Sequence, residues 1–194
     1  MTEEIEAIFK KLNSEVTDMH YRWNMYRDVY AGDAEQVALL NKSGSNFFYY
    51  VQHLMLDHMA LGFSKLTDPN KQGRGNYENL SLKQIHVYAS DLGDIELVAK
   101  LKKTFEELIG NCEIFRTLRN KRIAHASLDH AMGYSDKALP GISRKYVETA
   151  LESLRKYMNI VELHYFNQGT AYQLIMESGQ TGGAALISAL RRAK

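Results

Sequence analysis

From Glu3 to Tyr30 the apolar side chains recur at Ile5, Ile8, Phe9, Leu12, Val16, Met19, Trp23, Tyr26 and Tyr30. Steps of three and four put them on one stripe of a helix and the polar residues between them on the other. The spacing predicts one long amphipathic helix, closed by Gly32. Asp33 with Gln36 has the spacing of a capping box and predicts a short second helix to about Asn41. Ser45 can cap a third, running to about Leu66. Phe47, Tyr50, Leu54, His58 and Leu61 mark one of its faces, and Phe48, Met55, Met59 and Phe63 another. Apolar residues on most sides imply burial among neighbouring helices.

A polar loop follows, TDPNKQGRGNYENL, and Ser81 with Gln84 then predicts a short helix to about Leu92. Asp94 begins a longer one through Ile95, Val98, Leu101, Phe105, Leu108 and Cys112. After the loop MGYSDKALPGIS, Ser143 caps a last long helix with Tyr146, Val147, Leu151, Leu154, Met158, Val161 and Tyr165 on its buried side. GQTGG leads into ALISALRRAK, a short helix with cations in its final turn, where the helix dipole favours them. Only two prolines occur, Pro69 and Pro140, both in turn-rich surroundings. No strand-like alternation of useful length and no internal repeat is present. The expected fold is all-α, an up-and-down bundle of about five to seven helices. Residues 1–178 are expected to form one domain, and 179–194 a hinge and short helix.

Composition narrows the function classes. Hydrophobic residues are 45% and charged ones 24%, ordinary for a soluble protein with a core. The formal net charge of +1 gives no overall field for nucleic acid, so any such binding needs a local patch. Cys112 is the only cysteine, which excludes a disulfide framework and fits a reducing compartment. The acidic, amphipathic N-terminus lacks the plan of a secretory signal. No stretch approaches the roughly 20 apolar residues that span a bilayer. A cytoplasmic protein without membrane contact is expected.

The candidate chemistry lies in TLRNKRIAHASLDH, residues 117–130. Arg116, Arg119, Lys121 and Arg122 fall within seven positions that contain no acid. Like charges at helical spacing repel, and a phosphate would relieve that repulsion. Arginine can grip phosphate oxygens in a bidentate fork, and a histidine can take or give a proton near neutral pH. Asp129, four residues past His125, is placed to orient the imidazole if the helix continues. Together they suit RNA cleavage by its own 2′-hydroxyl, with no metal and no cofactor. In a straight α-helix, however, Arg119 and His125 stand about 120° apart and about 9 Å along the axis. Convergence needs a change in the helix within this segment, an arginine side chain that bends across, or a second copy. Lys121 and Arg122 lie nearer His125 on the wheel and can hold phosphate instead.

Arg119-Asn120-Lys121-Arg122-Ile123-Ala124-His125 resembles the signature of the HEPN superfamily: an arginine, usually followed by a polar residue, then four to six positions to a histidine. LGFSKLTDP, SLKQI and RNKRIAHASLD, in that order, are similar to the abortive-infection U-type (AbiU-like) branch, over roughly residues 45–165. The resemblance implies a helical bundle that dimerises and brings two copies of the motif into one cleft. It implies a metal-independent endoribonuclease of phage defence or of a toxin–antitoxin system with a possible antitoxin. Arg119 would hold the scissile phosphate, His125 would act as acid or base, and Asn120 would support their placement. Lys121, Arg122 and Asp129 would assist. Some relatives carry a tyrosine two residues past the histidine; Ser127 stands there, so control by tyrosine modification does not carry over. The alternatives are a non-catalytic module that binds RNA or a protein through the same basic face, and a structural or regulatory defence component.

Other clusters read as packing. His53 and Asp57 sit at i,i+4, but His58 falls on another face, so they do not converge as metal ligands. His58, among Leu54 and Leu61, reads as a satisfied core histidine. His130 is a poor second choice of base. GQTGG lacks the Lys-Ser/Thr ending and preceding strand of a phosphate loop. Cys112 sits on an apolar helical face. Phe47-Phe48-Tyr49-Tyr50 can stack bases, but its helical spacing suits core or dimer interface.

Overall fold

The computed structural model describes residues 2–73, 77–174 and 181–193. Helix α1 runs Glu3–Tyr30 and α2 Ala34–Leu66. Strands β1 (Lys71–Gln72) and β2 (Tyr77–Glu78) form a small antiparallel ribbon with Lys71 opposite Glu78. Then come α3 (Lys83–Asp91), α4 (Ile95–Leu118), a π-helical turn (Arg119–Ile123), α5 (Leu128–Ala131), α6 (Arg144–Phe166), a 3-10 turn (Tyr172–Leu174) and α7 (Gly182–Arg192). The fold is all-α, a helical bundle, and the ribbon lies within the predicted polar loop. Its residues pack as two compact units, Met1–Val16 with Ala60–Thr170 and Thr17–Met59 with Ala171–Lys194. Part of the expected hinge, residues 179 and 180, lies outside the described residues.

In the first unit α4 and α6 pack side by side. Leu101, Leu108, Phe115 and Leu118 from α4, with Val147, Leu151, Leu154 and Val161 from α6, are almost wholly removed from solvent. Asn111 donates from Nδ2 to Ser153 Oγ at 2.8 Å across this seam. Phe63 and Phe115 stack with ring centroids 4.6 Å apart. Burying each such ring contributes about 1.5–3 kcal/mol. Tyr157 is fully buried and donates its hydroxyl to Leu82 O at 2.8 Å, so its polar end is satisfied.

Two of the predicted caps close as expected. Asp94 Oδ1 accepts from Leu97 N at 3.0 Å, and Ser143 Oγ from Tyr146 N at 3.2 Å. Ser81 behaves otherwise. Its hydroxyl is buried without a hydrogen-bond partner, and Gln84 N donates to the Ser81 carbonyl instead. Gln84 Nε2 donates to Asn70 O and Asn79 O, tying α3 to the ribbon. Tyr146, expected on the buried side of α6, is 48% exposed.

In the second unit Asp33 caps α2 through Oδ1, which accepts from Gln36 N at 2.9 Å. Gln36 does not complete a capping box. Its amide reaches the Asp28 and Val29 carbonyls at 2.6 and 3.0 Å, satisfying orphan acceptors at the end of α1. The expected break between second and third helices is a kink at Gly44, where φ 151° and ψ 68° suit a residue without Cβ. Val29, Leu39, Leu40, Phe48 and Ile187 form the core. Helix α7 sits so close to α1 that a Cβ on Gly183 would lie 2.8 Å from Met25 O.

The expected burial of the third helix is corrected on one face. Phe47, Tyr50 and Leu54 are 65%, 67% and 68% exposed. His58 is exposed too, and its ring meets Arg22 Nη1 at 3.3–3.4 Å rather than sitting in a core.

Candidate functional site

Helix α4 stops being a regular α-helix at the motif. The Ala124 N–H reaches the Arg119 carbonyl at 2.8 Å, a bond closing over five residues rather than four. Ser127 N then donates to Lys121 O at 3.0 Å, and Ser127 itself is extended (φ −64°, ψ 122°) before α5 begins. Arg119, Asn120, Lys121 and Arg122 therefore all stand on one widened turn, and His125 lies in the bend just beyond it, exposed. The angular separation of a straight α-helix does not apply here, because the helix ends inside the motif.

Arg119 is held from two sides. Its Nη1 donates to Asn120 Oδ1 at 3.1 Å, and its Nη2 to Asp68 Oδ2 at 3.4 Å. Arg116, one turn earlier on α4, donates Nη1 to Asp68 Oδ1 and Nη2 to Thr67 Oγ1, both at 2.8 Å. Thr67 in turn donates its hydroxyl proton to Phe63 O at 2.7 Å. A single carboxylate, its side chain 12% exposed, is thus shared by two guanidinium groups. It sits just past the C-terminus of α2, the negative end of that helix's dipole, where cations are favoured. Arg119 keeps 28% of its side chain open to solvent. A guanidinium has five N–H donors, so these two contacts leave capacity for an anion.

Asp68 and Thr67 are the residues that sequence reasoning missed as site members. The signal was present, since both fall in the quoted segment LGFSKLTDP. The condition that assigned Asp129 to His125, a continuing helix, is not met. Asp129 belongs to α5, and its carbonyl accepts from Tyr134 N at 2.8 Å and Ser135 N at 3.1 Å. His130 Nδ1 meets Ser127 Oγ at 3.3 Å. Lys121 and Arg122 present exposed side chains on the π turn. Beyond the motif, Leu128, Met132 and Tyr134 expose 70%, 55% and 69% of their surface.

His53 is engaged locally, with Nδ1 2.8 Å from Tyr49 O and its ring 4.2 Å from the Tyr49 ring. Among the described residues no three His, Cys, Asp or Glu side chains gather as a metal-binding set. Cys112 is 1% exposed, and burial pushes its thiol up to about 12, so it packs rather than reacts. No described helix is long and apolar enough to cross a membrane.

The fold is all-helical and carries an Arg-Asn pair at the end of a long helix, with an exposed histidine just beyond. Comparison with family patterns matches HEPN_AbiU2, described as AbiU2, over residues 2–180, and the chain belongs to this HEPN family. The match extends well beyond the segment that carries the sequence resemblance. Comparison with curated proteins and with solved structures returns no match.

Proposed function

We propose that this chain is a metal-independent endoribonuclease, working as a homodimer in abortive infection or as the toxin of a toxin–antitoxin pair. The observation that carries this reading is the placement of Arg119. Asp68 and Asn120 fix its guanidinium while leaving it open to solvent, one widened turn before the exposed His125. A phosphodiester docked there receives parallel N–H donors on its non-bridging oxygens. His125 removes the 2′-hydroxyl proton, and O2′ attacks phosphorus. The O5′ bond breaks as an acid protonates the leaving oxygen, giving a 2′,3′-cyclic phosphate and a 5′-hydroxyl. In a dimer the two copies of His125 divide the base and acid roles. Lys121 and Arg122 bind the flanking phosphates.

The exposed Leu128, Met132 and Tyr134, within ten positions of His125, support the dimer, since large apolar side chains left in solvent close to a site are candidates for cover by a partner. Leu128→Glu with Met132→Lys is expected to give a monomer by sedimentation velocity and to lose cleavage. Single-stranded RNA incubated with the protein in chelator tests the chemistry. His125→Ala is expected to lower the rate by about 10²–10⁴. Equal cleavage by the variant removes His125 from the mechanism.

The second reading, a non-catalytic module binding RNA or a protein through this face, has its own support. Asp68 already offsets the charge of Arg116 and Arg119. Salt-dependent RNA binding without cleavage would select it.

A further inference from the structure

Asp68, the carboxylate shared by Arg116 and Arg119, also borders a cleft of about 170 Å³ whose other walls are Glu15, Lys65, Leu66, Asn79 and Leu80. The volume is below the roughly 300–1,000 Å³ of sites that capture a whole ligand from solution. A ring already tethered beside it needs less, because the tether supplies the effective concentration. The cleft and Arg119 flank the same side chain, which puts the cleft within a nucleotide's reach of the proposed phosphate site.

Its polar groups form a definite pattern. Asn79 is fixed through its backbone, N–H to Asn70 O at 2.8 Å and carbonyl from Gln84 Nε2 at 3.0 Å. Its side-chain Nδ2 donates to Pro69 O at 2.8 Å and to Gln72 Oε1 at 3.4 Å. Both amide donors are spent, so what Asn79 offers a ligand is Oδ1, an acceptor. Glu15 Oε2 and Lys65 Nζ stand 3.9 Å apart, with side chains 47% and 69% exposed. That contact is too long for a hydrogen bond, so an acceptor and a donor lie side by side without being spent on each other. Leu66 and Leu80 supply apolar walls. The carboxylates of Glu15 and Asp68 repel phosphate and leave the cleft to an uncharged base.

Acceptors beside a donor answer one base edge. Guanine carries N1–H and N2–H together, with O6 next to them. Uracil has a single N–H between two carbonyls. Adenine and cytosine set an amino group beside a bare ring nitrogen, whose lone pair a carboxylate repels.

We infer that this cleft receives the guanine of a nucleotide adjoining the phosphate on Arg119, Glu15 accepting from N1–H and N2–H, Lys65 donating to O6 and Asn79 Oδ1 taking the second N2–H. The inference rests on the reading of Arg119 as the phosphate holder. The test uses 2′-O-methyl oligouridine, which cannot be cleaved by its own 2′-oxygen, carrying one central guanosine, inosine or uridine. Binding is followed by fluorescence anisotropy at fixed salt. The matching RNAs are digested in chelator alongside.

Guanosine is expected to bind about tenfold tighter than inosine, which lacks the 2-amino group and so loses a hydrogen bond to a charged acceptor. Cuts in the RNAs should map beside guanosine. In Glu15→Ala the guanosine-to-inosine ratio should fall by about threefold or more. Equal affinity for guanosine and inosine in the wild type overturns the slot, while chelator-resistant cleavage that depends on His125 leaves the ribonuclease reading standing. Guanosine-dependent binding without cleavage keeps the slot and removes the reaction. No RNA binding overturns both. A ratio unchanged in Glu15→Ala overturns the assignment to this cleft. The ratio is read within each protein, so a general loss of affinity does not imitate the effect, and the wild-type comparison does not depend on a variant folding.

Discussion

Replacing Asp68 removes the one carboxylate that Arg116 and Arg119 share. In Asp68→Ala the contacts at 2.8 and 3.4 Å disappear together, and two guanidinium groups are left near each other. A hydrogen bond to a charged group is worth about 1.5–3 kcal/mol. The Arg119 contact is long, and the arginine side chains are 31% and 28% exposed, so water recovers part of the loss. A net cost of about 2–3 kcal/mol follows, between the values for surface and for buried pairs. For a chain of this length that lowers Tm by about 4–12 °C.

Thermal unfolding followed by circular dichroism measures it. A cycle combining Asp68→Ala with Arg116→Met isolates the pair, with an expected coupling of about 1–2 kcal/mol. The same carboxylate contacts Arg119, so Asp68→Asn should also slow the proposed RNA cleavage. Adding it to Arg119→Ala should then cost nothing further, because its effect passes through that arginine. A Tm change under about 1 °C with a coupling near zero would refute the shared-carboxylate account.

Three further outcomes are expected. Gly183→Ala puts a Cβ 2.8 Å from Met25 O and 2.7 Å from Asp28 Cβ. The backbone oxygen cannot give way, so α7 should undock and its amides exchange faster; unchanged protection would contradict the close approach. Cys112, its thiol pushed up to about 12 by burial, should resist a disulfide reagent at pH 8 until the chain unfolds. Fast labelling of the native protein would count against its burial.

His86, with its pKa below the ordinary 6.5, takes up its proton at lower pH in the folded chain than in the unfolded one. Its contribution to stability is therefore whole above about pH 6.5 and drains as pH falls from there to the folded value. Urea midpoints at pH 7.5 and 5.5 should fall more in the wild type than in His86→Phe. Parallel losses would show that another group carries the effect.

Local periodicity and capping chemistry made much of the fold legible. The three-and-four spacing marked α1 from Glu3 to Tyr30, and the oxygens of Asp94 and Ser143 marked where α4 and α6 begin. Each signal lies within a few residues of the structure it specifies. The failures share the opposite property. Gln84 was read as a partner of Ser81, yet its amide answers the Asn79 carbonyl beside the ribbon and that of Asn70, 14 positions back, which the folded chain brings near.

Asp68 stands 51 positions from Arg119, and no local pattern joins them. Phe47, Tyr50 and Leu54 have the spacing of a buried stripe, but spacing records only that residues share a face. It does not say whether this chain covers that face. The basic motif was legible as chemistry, while the π turn that ends α4 within it was not, since the same residues also fit a straight helix.

That turn sets how far the motif tolerates changes in length. Holding one residue more than an ordinary helical turn, it acts as a small reserve of chain between the arginine and the histidine. Loss of a single residue after Arg119 can be absorbed by drawing the loop tighter, without moving Phe115 or Leu118 from the core on the preceding turn. Where the imidazole ends up then depends on the exit from the turn and not on rotational phase, which gives a variable Arg-to-His interval a mechanical basis.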